Sequence, residues 1–197
     1  MTSPAPGTDP AGPSGSASVD ASVDASVDSS VASGSAEESA ASAAPAPSAP
    51  PPGPLSPDAV KALQSALAAE QAAVWTYGLV AAYARDQAAM IAEARSGHLI
   101  RRDSTTARLI QGGATPPDPA AAYDVSVDVK DTASALKLAM DIETDAAAGW
   151  RVVIGSTDDA ELRGFALAGL SEAAVRLAMW KQVAGVKPTT VPFPGQG

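Results

Sequence analysis

Apolar residues recur every three or four positions along four stretches of the chain, and this spacing predicts four helices packed in a bundle. The first stretch covers about 57–83, and the second covers about 86–111 and ends at a pair of glycines. The third begins after Asp131-Thr132 and the fourth begins near Asp158. The predicted fold class is therefore all-α.

Glutamates occupy three positions on the predicted buried faces, where leucine is usual. Glu70 follows Leu67 on the first helix, Glu143 lies on the third, and Glu172 lies on the fourth between apolar residues that include Val175. A carboxylate removed from water is costly unless it is paired, protonated or bound to a metal. The alternative for Glu143 and Glu172 is a position on the flank of the helix.

One candidate metal ligand can be assigned to each helix, since the second carries the only histidine. The candidate set is Glu70, His98, Glu143 and Glu172. Di-iron and di-manganese bundles use a lone glutamate from two helices and a Glu-x-x-His pair from each of the other two. Both pairs are incomplete here, because Arg95 stands three residues before His98 and Val175 stands three residues after Glu172. The cofactor is left open between none and an iron or manganese ion.

A polar core without metal is the competing interpretation. Glu70 is then buried against Arg95 or Arg102, and His98 is a structural, hydrogen-bonding residue. Arg176 joins this predicted core, or pairs on the surface with Glu172 four residues earlier. We assign no residue a catalytic role.

A proline-rich segment, 113–130, separates the two helix pairs. Its prolines and a short alternating VSVDV tract exclude a helix. Eighteen extended residues reach roughly 60 Å, further than a helix of about 25 residues at roughly 38 Å. The segment is thus long enough to cross the bundle, as in ferritin-like folds, although a surface loop in an up-down bundle is the alternative.

The first 54 residues have a different composition from the rest. Apart from Met1, Thr2 and Thr8 they are Ala, Ser, Pro, Gly and Val with six of the 22 acidic residues and no basic or aromatic residue, and three ASVD units follow one another. Because such a segment cannot bury enough apolar area, we predict a disordered tail over 1–54 and a folded bundle over 55–197. The folded part carries about −3 of the net charge of −9, which argues against nucleic acid as a partner.

Several classes of function are excluded by composition. The absence of cysteine removes disulfides, thiolate nucleophiles and iron–sulfur clusters. The chain contains no run of 18 apolar residues and no secretory signal, so we predict no membrane association and a cytoplasmic location. No nucleophile-elbow, P-loop or dinucleotide motif is present.

Particular sequence motifs resemble an uncharacterised ferritin-like domain family of high-GC bacteria. They are AEQAAVWTYG at 69–78, HLIRRD at 98–103, the proline-rich crossover ending in YDV, and AAVRLAMW at 173–180 followed by TVPFPG. The resemblance implies a ferritin-like four-helix bundle and brings no established substrate or reaction. Gln71 departs from the family, in which histidine is usual at this position.

Two functions remain open, and with them the question whether the chain is an enzyme. The first is a non-catalytic bundle with a degenerate metal site that acts through a homodimer or another partner, for which Trp150 or Trp180 is the expected anchor. The second is a metal-binding oxidoreductase or metal-handling protein, of di-iron type or with a single ion.

Overall fold

Four long α-helices make up most of the computed structural model, which describes residues 53–125 and 127–196. Their bounds are α1 Pro57–Tyr83, α2 Ala88–Gln111, α3 Thr132–Gly155 and α4 Ala160–Val183. A 3-10 turn, Arg85–Gln87, joins α1 to α2, and no strand occurs in the described ranges. The predicted all-α bundle is confirmed. The predicted tail, apart from Gly53 and Pro54, lies outside the described residues.

Polar caps fix where the helices begin. Ser56 accepts a hydrogen bond from the Ala59 amide at 3.2 Å, and Pro57 follows it at the first helical position. Asp131 and Ser134 form a reciprocal capping box at the start of α3. These short polar signals explain why the helix starts were predictable from sequence.

The proline-rich crossover runs along α1 for most of its length. Gln64 and Gln71 donate hydrogen bonds to the carbonyls of Thr115 and Pro117 at 2.9 and 3.0 Å. Further along, Trp75 contacts Tyr123, and the Thr132 hydroxyl donates to the Tyr83 carbonyl at 2.9 Å. The predicted long crossover is confirmed, and Gln71 serves to hold it.

Two large apolar clusters lie one towards each end of the bundle, and a small third one consists of Ala146, Ala147 and Ala173. One joins the start of α1 to the ends of α2 and α3 and the start of α4, and includes Leu63, Leu109 and Trp150. The other joins the opposite ends of these helices and includes Val80 and Trp180. Neighbouring helices α1 and α2, and α3 and α4, are therefore antiparallel. The buried polar residues Glu70, His98 and Glu143 lie between the clusters in sequence.

The buried face of α4 is rotated from the predicted one. The buried residues are Leu162, Ala166, Gly169, Ala173, Leu177 and Trp180, whereas Val175 and Met179 on the predicted face are 60% and 39% exposed. Apolar residues surround this helix on every side, so periodicity does not single out one face. No helix in the described part of the chain is long and apolar enough to span a membrane.

Candidate functional site

Glu70, on α1, is fully buried and uses both carboxylate oxygens. Oε1 accepts a hydrogen bond from the Trp150 indole Nε1 at 2.7 Å, and Oε2 lies 2.6 Å from His98 Nδ1. The prediction that Glu70 points inward is confirmed by its 1% exposure. Its predicted partner was wrong, because α2 supplies the imidazole of His98 instead of an arginine.

His98, on α2, lies between two carboxylates. Its Nδ1 meets Glu70 and its Nε2 lies 3.2 Å from Oε1 of Glu143. Burial favours the neutral ring, but hydrogen bonds and attraction from Glu143 and Glu70 outweigh it and raise the pKa of His98 to about 9. At neutral pH His98 is therefore an imidazolium that donates from both nitrogens.

Glu143, on α3, is the most heavily contacted member of the site. Arg176, on α4, donates from Nε to both of its oxygens, each at 3.0 Å. The Tyr77 hydroxyl donates to Oε1 at 2.6 Å and accepts from the Trp180 indole at 2.8 Å. Burial, together with the negative charge of Glu143, raises the pKa of Tyr77 well above its usual value, so Tyr77 is neutral and donates.

These contacts form a four-residue ion network, Glu70–His98–Glu143–Arg176, with one member from each helix. Two carboxylates alternate with an imidazolium and a guanidinium, so the network has no net charge. Each carboxylate oxygen has at least one hydrogen-bond donor. A buried charge is tolerated only when it is paired and hydrogen-bonded, and this arrangement meets both conditions.

Three of the residues predicted for the site lie elsewhere. Glu172 has a side chain that is 47% exposed and pairs with Arg101 at 2.5 Å, so it occupies the flank of α4, the alternative left open for it, and lies outside the buried site. Arg95 is exposed and donates to the Val74 carbonyl, and Arg102 pairs with its neighbour Asp103. Neither arginine belongs to the buried network. Arg176 joins the buried carboxylates through Glu143, its main partner, and its side chain is 18% exposed.

Three aromatic residues of the site were missed as polar partners. Tyr77, Trp150 and Trp180 each donate a buried hydrogen bond, although none of them was predicted to have a polar role. Trp150 lies on α3 seven residues after Glu143, and Tyr77 lies on α1 seven residues after Glu70. Each aromatic residue therefore lies on the same face of its own helix as the glutamate that precedes it. That spacing is the signal that could have identified Trp150 and Tyr77, whereas Trp180 follows no glutamate at this spacing. Because Trp150 and Trp180 are buried, neither can anchor an interface.

The residues present do not fit the metal centre of a carboxylate-bridged bundle. Such a centre uses four glutamates and two histidines, whereas only Glu70, His98 and Glu143 meet here. Metal ligation needs a neutral imidazole with a free nitrogen, but both nitrogens of His98 are engaged with carboxylates. Within 53–125 and 127–196, no group of three or more His, Cys, Asp or Glu is arranged to hold an ion.

Comparison with solved structures identifies the class of fold. The chain is similar to a bacterioferritin-related protein from Bacteroides fragilis, described as a dodecameric thioferritin, with 19% identity and a TM-score of 0.57. That similarity covers 63% of this chain and 82% of the other. The protein has a ferritin-like four-helix bundle.

The family follows from the sequence. Residues 62–197 match the model of a domain of unknown function, DUF4439, and the chain belongs to that family. A conserved hypothetical protein from Mycobacterium tuberculosis, Rv2844, is 37% identical with a TM-score of 0.63. The similarity covers 69% of this chain and 97% of that one. No curated protein matches the sequence.

Proposed function

We propose that this protein is a non-catalytic ferritin-like bundle in which the ion network replaces a metal centre, and that it acts through contacts between copies. The observation that carries this proposal is the position of Arg176, whose Nε lies 3.0 Å from both oxygens of Glu143. A guanidinium is permanently charged. It therefore supplies, from within the chain, the positive charge that a metal ion supplies in related bundles.

Metal entry into this site would carry two costs. A cation would have to displace Arg176 from Glu143 and remove a proton from His98, whose pKa is raised to about 9. Because ligands must be deprotonated before they bind a metal, both steps reduce affinity at neutral pH. The indole of Trp150 also holds one Glu70 oxygen.

Metal analysis tests this part of the proposal. We expect protein purified without chelator to hold far less than one iron or manganese ion per chain, and its unfolding midpoint to be unchanged by added Fe²⁺, Mn²⁺ or a chelator. Ligands that bind the folded state raise its stability by mass action. About one ion per chain, with a chelator-sensitive midpoint, would contradict the proposal.

A metal-binding oxidoreductase or metal-handling protein, with a single ion or a di-iron-type centre, is the second candidate function. It is favoured by one observation, the meeting of Glu70, His98 and Glu143 from three helices within hydrogen-bond distance. On this account a metal releases the His98 proton and frees Arg176. Calorimetry in two buffers of different protonation enthalpy would then report proton release on metal addition.

The outward face of α4 supports the proposed contact between copies. Large apolar residues there are exposed, namely Leu167, Val175, Met179, Val183 and Val186 just beyond the helix. A 24-residue helix is about 36 Å long, so this face extends over much of the bundle. Contiguous exposed apolar surface is typical of protein interfaces, and the self-complementary solution is a two-fold dimer.

Sedimentation of single variants tests the dimer. We expect a dimer at about 100 µM, and we expect Val175→Glu to shift it to monomer because a charge would be buried in the interface. Ile100→Glu, on α2 and 66% exposed in the wild type, is the matched control and should remain dimeric. A wild-type monomer at that concentration would refute the proposal.

A further inference from the structure

A groove on the outside of the bundle, between α1, α2 and the crossover, has the features of a ligand site. It consists of two adjoining cavities of about 330 and 460 Å³ that share Gly78 and Arg95. The lining of the first includes aromatic and cationic side chains, and that of the second includes three alanines with Ile91 and Leu99. Their volumes lie in the range of small-molecule sites. We call this the α1–α2 groove.

The groove presents positive charge in an acidic protein. Arg95 donates from Nε to the Val74 carbonyl at 3.3 Å and forms no ion pair with any residue of the described ranges. Arg102 also lines the first cavity, and its partner Asp103 does not. Among the described residues no acidic side chain lines either cavity, although the chain carries a net charge of −9. The guanidinium of Arg95 is therefore available to an anion.

An aromatic surface lies beside these arginines. Trp75, on α1, is 43% exposed, and its ring centroid is 6.0 Å from that of Tyr123 on the crossover. The two ring planes are tilted by 53° to each other, so they do not form a parallel pair that could hold a ligand between them. A flat ligand would stack on the open face of the Trp75 indole, with its charged group directed towards Arg95.

Gly78 leaves the floor of the groove open where the two cavities join. It lies in the middle of α1, where glycine costs helix stability relative to alanine. A Cβ added to it would meet no atom within 4 Å, so packing does not require glycine there. Departures from local preference that packing does not explain are typical of functional sites.

We propose that the α1–α2 groove binds small aromatic carboxylates. The ligand carboxylate pairs with the guanidinium of Arg95, and Arg102 adds positive charge nearby. The ring lies on Trp75, and any apolar extension passes over Gly78 into the second cavity, beside Ile91 and Leu99. Bidentate pairing of an arginine with a carboxylate fixes orientation as well as charge. The site is separate from the buried ion network and does not depend on the proposed absence of a metal.

Calorimetry with the full chain tests the proposal, with 2-naphthoate as the probe. We expect saturable binding of one 2-naphthoate per chain, and binding of the uncharged 2-naphthamide weaker by about tenfold or more, since charge-assisted hydrogen bonds are lost. Inorganic phosphate should bind more weakly than 2-naphthoate. No saturable binding of 2-naphthoate, equal binding of the amide, or equal binding of phosphate would each overturn the proposal.

Two variants with matched controls locate the site. Arg95→Gln should weaken 2-naphthoate binding by about tenfold or more, while Arg163→Gln, an exposed arginine on α4, should change it by less than about twofold. Gly78→Leu fills the groove and should abolish binding without loss of helix content. Its control is Gly164→Leu on α4, where a Cβ also meets open space. Unchanged affinity in Arg95→Gln or in Gly78→Leu would refute the assignment.

Discussion

Arg176 and Arg95 occupy two different environments in this bundle. Arg176 reaches from α4 into the core and holds Glu143, a carboxylate with no solvent exposure. Arg95 lies three residues from the buried His98, but that spacing turns it about 60° around α2, so it is exposed beside the α1–α2 groove. The direction in which the side chain leaves its helix decides whether an arginine neutralises the core or remains available to a ligand.

The largest expected effect is a difference in stability between variants of these two arginines. Arg176→Met should lower the free energy of unfolding by about 3 to 5 kcal/mol, because Glu143 stays buried and loses its guanidinium. Arg95→Met should change it by less than about 0.5 kcal/mol. Urea unfolding monitored by circular dichroism measures both. Equal effects of the two substitutions would remove the distinction between the core and the groove.

The pH dependence of stability distinguishes the network from the surface charges. The pKa of His98 is raised from 6.5 to about 9 on folding, so its stabilising contribution is complete below pH 6.5 and is lost as the pH rises to about 9. The shift corresponds to about 3 kcal/mol. Unfolding free energies measured from pH 6 to 9.5 should therefore fall. In the His98→Gln variant the free energy of unfolding should change little over the same pH range. An equally steep fall in that variant would contradict the assignment of the pH dependence to His98.

The smallest expected difference in stability between the core and the groove is at two glycines. A Cβ at Gly169 would lie 2.8 Å from the Trp150 ring, so Gly169→Ala should push the indole from Glu70 and cost about 1 to 3 kcal/mol. Gly78→Ala meets open space and should stabilise α1 by roughly 0.5 to 1 kcal/mol. Thermal unfolding of both variants shows whether each substitution raises or lowers stability. A change in the same direction in both would show that Gly169 is not packed as described.

The fold was largely predictable, because caps, glycines and prolines mark the helix ends locally. The four-helix bundle and its long crossover follow from such signals, as at Ser56, Asp131 and Gly112. The buried positions of Glu70 and Glu143 also follow from periodicity, since α1 and α3 each carry an apolar face around them.

The partners in the site could not be predicted in the same way. α4 has apolar residues on all sides, so a rotation of about one position placed Ala173 and Arg176 where Glu172 and Val175 were predicted. His98 and Arg95 lie on the same helix, so which of them meets Glu70 depends on how α2 is rotated about its axis and at what height it packs against α1. Helix packing sets both quantities, and the sequence of one helix does not contain them.

The protonation state of His98 tests the central claim most directly, since the ion network requires an imidazolium. His98 is the only histidine of the chain. Protein without a histidine tag therefore gives a single set of imidazole signals in ¹⁵N NMR spectra. The predicted result is a ring protonated on both nitrogens at pH 7, with a titration midpoint near 9. A neutral ring at pH 7, or a midpoint at or below 6.5, would contradict the account.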